Sequence, residues 1–176
     1  MRKLVIGVMG PGESATTEDK AMAYLLGYEI AKKGWVLLSG GRKAGVMGEV
    51  NRGYKEGRGT LSIGISPTES DDGLMSEHLD VVVFTGMKSG RNYMNILSSD
   101  IVVAIGDLSS AGTLSEVAFA LIKQKQKPFE EKKKAFPIIF LGGGNIVQAL
   151  YDKHATKSII VSDALSAIDK IEHLIK

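Results

Sequence analysis

Arg91 and Asn92, in the stretch SGRNYMN, and Glu116, in the stretch SSAGTLSEV, are the residues whose types and spacing could do chemistry in this chain. A short apolar run, Ile101 to Ile105, separates the two stretches. The order reads as helix, strand, glycine-containing turn, then a second helix opening at Gly112-Thr113. A helix that starts at such a turn aims unpaired backbone N–H groups and its positive dipole end into the loop. That arrangement favours phosphate or another oxyanion. An arginine, an amide and a carboxylate gathered beside it make a polar pocket instead of a packing surface. Each residue also has a plainer reading. Glu116 sits in the first turn of its helix, where the dipole stabilises a carboxylate whatever the function. Asn92 reads equally as a helix-start residue. Arg91 follows Gly90 at a helix start, where the dipole disfavours a cation, so it implies either a bound anion or pairing with Glu116.

The elements that position these groups are legible as apolar runs of strand length: Leu4 to Met9, Trp35 to Leu38, Leu61 to Ile65, Val81 to Phe84, Ile101 to Ile105, Ile138 to Leu141 and Ile159 to Val161. Runs apolar throughout suit strands buried on both faces of a parallel sheet. Helical patterns fill the gaps: Lys20 to Lys33, Val46 to Glu56, Ser89 to Ser98, Thr113 to Lys125, Gly144 to Lys153 and Asp163 to Lys176. In the first, Ala21, Tyr24, Leu25, Tyr28 and Ala31 form the expected buried stripe, and Gly34 the stop. Strand and helix alternating along the chain imply an α/β, Rossmann-like doubly wound fold, mainly parallel, with helices on both faces. Residues 1–176 read as one domain. Two stretches break the rhythm. Ser66 to Leu79 is polar and acidic and reads as a surface connection, with covering of a site as the alternative. Lys123 to Lys134 holds six lysines and reads as a solvated helix end and loop, with contact to an anionic partner as the alternative.

Ligands of open parallel sheets bind beyond the carboxyl ends of the strands, where the strand order reverses. Three glycine-rich turns fall at such ends. The first is Gly7 to Gly12, containing Gly10-Pro11-Gly12. The second runs from Ser39-Gly40-Gly41-Arg42 to Met47-Gly48. The third is Gly106 to Thr113, containing Ser109-Ser110-Ala111-Gly112. Neither the dinucleotide spacing G-x-G-x-x-G nor the P-loop G-x-x-x-x-G-K-[ST] is present, so neither fingerprint applies. Three glycine turns at one sheet edge, with Arg42, Arg91 and Thr113 near them, point to a small anionic ligand. Asp107 is awkward for phosphate in the third turn. Met9, Met47 and Met94 read as packing residues, though Met47 and Gly48 stay in the candidate set through their place in the second turn.

Composition limits the alternatives. The 176 residues carry a formal net charge of +2, which gives no strong pull toward nucleic acid or membranes. There are no cysteines, so disulfides, thiolate metal sites and cysteine nucleophiles are excluded together. His78, His154 and His173 lack ligand spacing, and no metal site is expected. No run approaches the roughly 20 apolar residues of a membrane helix. The start, MRKLVIGVMGPG, reads as a first strand and not a signal peptide. A cytoplasmic protein is the expectation.

IGVMGPG, GWVLLSGGRKAGVMGEV and GRNYMNILSSDIVVAIG followed by GTLSEVAFAL resemble the molybdenum cofactor carrier proteins, within the Lonely Guy, or lysine-decarboxylase-like, Rossmann family. The similarity spans Arg2 to about Lys127. The related phosphoribohydrolases cut the N-glycosidic bond of nucleoside 5′-monophosphates such as AMP or cytokinin ribosides. Their motif is P-G-G-x-G-T-x-x-E with an upstream arginine, and the catalytic pair maps onto Glu116 and Arg91. Here Asp107 to Ala111 replaces proline and two glycines, and Asn92 stands where the hydrolases carry lysine. Both departures match the carrier branch.

The resemblance therefore implies a protein that holds and protects molybdenum cofactor (molybdopterin with its metal) for apo-enzymes. The cofactor would lie against Gly10, Pro11, Gly12, Gly40, Gly41, Arg42, Met47, Gly48, Arg91, Asn92, Ser109, Ser110, Ala111, Gly112, Thr113 and Glu116. It also implies a homodimer or tetramer formed through helices beside the site. The alternatives are a nucleoside monophosphate phosphoribohydrolase and a nucleotide-binding protein without turnover.

Overall fold

The computed structural model describes residues 2–125, 136–154 and 158–176. Its first half runs β1 (Val5–Met9), α1 (Thr17–Lys32), β2 (Val36–Ser39), α2 (Gly45–Glu56), β3 (Ser62–Ser66) and β4 (Val81–Phe84). The second runs α3 (Arg91–Leu97), β5 (Ile101–Ile105), α4 (Ala111–Lys125), β6 (Ile138–Leu141), α5 (Asn145–His154), β7 (Ser158–Val161) and α6 (Ala164–Ile175). The seven strands pair in parallel in the order β4-β3-β2-β1-β5-β6-β7. The order reverses between β1 and β5, and there the carboxyl ends of the strands leave a crevice.

Parallel pairing requires crossovers, and the crossover helices cover both faces of the sheet. On one face Leu26 and Ile30 of α1, Val50 and Tyr54 of α2, and Ile168 and Ile171 of α6 pack on Ile6, Leu37 and Val103. On the other, Ile96 of α3, Val117 and Leu121 of α4, and Val147 of α5 pack on Val102, Ala104 and Phe140. The doubly wound reading is borne out.

Helix α1 begins at a capping box. Thr16 Oγ1 accepts from the Asp19 amide at 3.0 Å, and the Asp19 carboxylate accepts from the Thr16 amide at 2.9 Å. These bonds satisfy donors that the first helical turn leaves open. Gly34, at φ 69°, ends the helix in the left-handed region. The buried face of α1 matches the expected stripe only in part: Ala31 is buried and Tyr24 and Tyr28 are half-buried. Ala21 and Leu25 are exposed, while Ala23, Leu26, Gly27 and Ile30 are buried. The sequence MAYLLGYEIA is apolar nearly all round, so periodicity alone did not fix the face. The glycines fix it. A Cβ on Gly27 would lie 2.1 Å from the Val50 carbonyl oxygen, and one on Gly53 would lie 2.0 Å from the Tyr24 carbonyl oxygen. Backbone meets backbone where α1 crosses α2, and only glycine fits on both sides.

Two further expectations are corrected. β4 is an edge strand whose Val81, Val83 and Phe84 side chains are exposed, so an unbroken apolar run did not mean burial on both faces. Lys123 is not a solvated helix end: its Nζ donates to the carbonyl oxygens of Ile96 at 2.7 Å and Ser99 at 3.0 Å, and lies 3.8 Å from the Phe136 ring centroid. Those carbonyls end α3, where a cation is favoured. The remainder of the lysine-rich segment, from residue 126 on, lies outside the described residues.

The 67–80 connection does more than join β3 to β4. The Lys43 amide donates to Leu74 O at 3.0 Å, and the Ser76 amide donates to Gly41 O at 2.9 Å. The loop thus braces the second glycine turn through an antiparallel bridge between Arg42 and Met75.

Candidate anion-binding site

The three turns converge at the crevice. Gly10 and Gly12 come from the first, Gly40 with Met47 from the second, and Ser110, Gly112, Thr113 and Glu116 from the third and the start of α4. Arg91 and Asn92 close the side. Together they wall a cavity of about 90 Å³. Pockets for drug-sized ligands measure roughly 300–1,000 Å³, so this one takes an end of a larger ligand.

Contacts between the turns explain the convergence. The Val46 amide donates to Pro11 O at 3.0 Å, tying the start of α2 to the first turn. Gly45, at φ 59°, brings its Cα so close that a Cβ would lie 1.9 Å from Gly12 O. At Gly40 a Cβ would lie 2.6 Å from Arg91 Nη1, so the guanidinium rests on bare backbone. In the third turn Leu108 adopts φ 63°, a conformation costly for a side-chain-bearing residue, and is held there by complete burial of its side chain. The Asp107 carboxylate, which looked awkward for anion binding, is exposed and accepts the Ser109 amide at 2.9 Å. That hydrogen bond holds its pKa below the ordinary carboxylate value.

The amides of Ala111, Gly112 and Thr113 precede the first hydrogen bond of α4, from the Leu114 amide to Ser110 O at 2.9 Å. Thr113 is 1% exposed, and its hydroxyl has no partner. A buried hydroxyl left unpaired is costly, and this one belongs to a residue of the cavity wall.

Arg91 and Glu116 form a buried ion pair, Nη1 to Oε1 at 3.2 Å. Of the two explanations for Arg91 at a helix start, pairing with Glu116 is therefore realised. Arg91 Nε remains buried without an acceptor. Burial lowers the Arg91 pKa, Glu116 opposes that, and Arg42 adds to it. Burial also pushes the Glu116 carboxyl up from 4.5 to about 7, against the pull of Arg91 and of a hydrogen bond from Asn95. Asn95 Nδ2 donates to the same oxygen, Oε1, at 2.7 Å. Asn92 Nδ2 donates to Ser115 Oγ at 2.8 Å, which makes it a brace between α3 and the start of α4.

Not every expected residue reaches the cavity. Arg42 is drawn away to Asp72 of the 67–80 loop, at 2.6 Å. Pro11, Gly41, Gly48, Ser109 and Ala111 stand in the turns without lining the wall. Asn95 was missed, although its spacing of four from Arg91 on one helix face was the available signal. Met9 packs in the core and lines the cavity, Met47 is half-buried and lines it, and Met94 is exposed. Among the described residues no group of three or more His, Cys, Asp or Glu could hold a metal ion. None of the described helices is long and apolar enough to cross a membrane.

A parallel doubly wound sheet with a glycine-walled cavity at its switch point is a Rossmann-like fold of the kind that binds ligands at that place. Residues 3–162 match the SLOG cluster4 family, and the chain belongs to it. Among solved structures it is similar to the molybdenum cofactor binding protein of the phototrophic bacterium Rippkaea orientalis, with 40% identity, a TM-score of 0.86 and coverage of 100% of this chain and 99% of that one. The molybdenum cofactor carrier protein of Chlamydomonas reinhardtii is 35% identical, with a TM-score of 0.82 and 99% of both chains covered. An uncharacterized protein of Archaeoglobus fulgidus is 37% identical over 126 residues, 72% of this chain and 79% of its own length. The resemblance drawn from the glycine turns is borne out.

Proposed function

We propose that this protein binds molybdenum cofactor and holds it for transfer, without turning it over. The observation that carries the reading is the cavity at the switch point, walled by Thr113 and Arg91, whose hydroxyl and Nε are buried without partners. A cavity of this size would take the phosphate or oxo end of the cofactor and not the whole of it. Whole-length likeness to two proteins described as binding or carrying that cofactor supports the choice of ligand. The cofactor brings its own dithiolene sulfurs to molybdenum, and this chain has no cysteine to add. Gly10, Gly12, Gly40, Ser110, Gly112 and Thr113 supply close backbone approach and donors, and Arg91 supplies charge. In the same reading the protein works in the cytoplasm as a homodimer or tetramer and hands its cargo to apo-forms of molybdenum enzymes.

The Arg91–Glu116 pair at 3.2 Å favours a second reading, phosphoribohydrolysis of a nucleoside monophosphate. Arg91 would orient the phosphate, and Glu116 would stabilise charge developing at the ribose C1′. The two are separated by anaerobic titration with the cofactor and by incubation with AMP and isopentenyladenine riboside 5′-monophosphate. Stoichiometric binding that prolongs reconstitution of an apo-reductase, with no base released, is the expected result. Base release that vanishes in Glu116→Gln would replace the carrier by the hydrolase.

A further inference from the structure

The charges in the cavity wall do not favour a dianion as they stand. Arg91 is the cation nearest the empty volume, and Glu116 already neutralises it. Arg42, the next cation, is engaged by Asp72. The other elements lining the cavity add little charge. β1 and the first turn contribute Val8, Met9, Gly10 and Gly12, and α2 contributes Met47. From α3 come Arg91 and the neutral Asn95. In the third turn Asp107 is exposed and engaged by Ser109. A dianion entering this cavity therefore meets a buried carboxylate a few ångströms away, in surroundings that screen poorly.

Glu116 is placed to remove that conflict. Both of its hydrogen bonds, from Arg91 and Asn95, land on Oε1. Oε2 is left to carry a proton, and a protonated carboxyl becomes a donor where a carboxylate accepts only. Protonation also releases Arg91 to face the ligand with its full charge. We infer that an oxyanion enters this site together with one proton, which is taken up by Glu116, so that loading and release are governed by pH. The inference rests on the anion-site reading above and deepens it. Burial that lifts the Glu116 pKa to about 7 places the switch within the physiological range.

Coupling of this kind has a defined signature. With the carboxyl half-protonated near pH 7, affinity is flat below that point and falls tenfold per pH unit well above it, roughly fiftyfold between pH 7 and 9. Sulfate and molybdate are suitable probes because neither titrates in that interval. The experiment is calorimetric titration of the full chain with each anion from pH 6 to 9, in buffers of different ionisation enthalpy. One proton taken up per anion above pH 8, falling toward zero by pH 6, is expected. Glu116→Gln keeps the shape and the donor capacity of the neutral side chain, and should bind with affinity independent of pH. Binding by the wild type with no proton uptake overturns the inference, as does an unchanged pH slope in Glu116→Gln or the absence of anion binding. Failure to capture molybdenum cofactor, with the sulfate slope intact, overturns the carrier reading and leaves this one standing.

Discussion

Replacing Glu116 by glutamine is expected to flatten the dependence of folding stability on pH, because this side chain is the largest titration difference in the site between the folded and unfolded chain. Burial raises its folded pKa from 4.5 to about 7. A carboxyl raised in this way adds stability that is fully present below about pH 4.5 and is lost as pH rises through 7. Integrating the linkage between pH 5 and pH 8 gives a loss of roughly 2 to 3 kcal/mol from this group. Glutamine resembles the protonated acid and cannot ionise. Glu116→Gln should therefore gain that much on the wild type between pH 5 and pH 8. The cycle already contains the attraction of Arg91, since Arg91 faces a neutral partner both in the variant and in the wild type at low pH. The assay is urea denaturation at several pH values in chloride buffers, which hold no oxyanion. Parallel pH profiles for the two proteins would refute the reasoning and show that Glu116 is solvated in the fold.

Two further outcomes follow from named contacts. Arg91→Ala should weaken binding of molybdenum cofactor by about 1.5–3 kcal/mol, as expected for a charge-assisted contact, whereas Lys170→Ala, at an exposed position, should change it by less than about 1 kcal/mol; equal losses in equilibrium titrations would place Arg91 outside the binding contact. Gly27→Ala should lower the thermal midpoint, because its methyl group would sit 2.1 Å from Val50 O and force α1 from α2, at about 1–3 kcal/mol, while Gly143→Ala, with nothing within 4 Å, should leave the midpoint unchanged.

The fold was readable because β-branched and aliphatic runs of three to six residues, separated by helix-length stretches, admit few arrangements. Each of the seven strands lies within about a residue of its apolar run. The readable part of the site was what glycine and charge announce locally: three turns, and a cation at a helix start that needed a partner. What escaped depends on paths through space. Arg42 was drawn off by Asp72, a residue on a loop whose course no local pattern gives. Asn95 looks like any polar residue inside a helix until α4 lays Glu116 against it. The face of α1 was read only in part because side-chain polarity ranked it, whereas the absent side chains of Gly27 and Gly53 decide it.

That glycine-to-glycine crossing has a mechanical consequence. With α1 locked on α2, and α2 locked by Gly45 and Val46 onto the first turn, the left bank of the crevice is one stiff body. The right bank is a second body, α3 riveted to α4 by Arg91–Glu116, Asn95–Glu116 and Asn92–Ser115. The guanidinium of Arg91 resting on Gly40 is a seam where the two touch. β1 and β5 still join the two banks through the sheet, so a ligand at this seam would be gripped from both sides of the switch point.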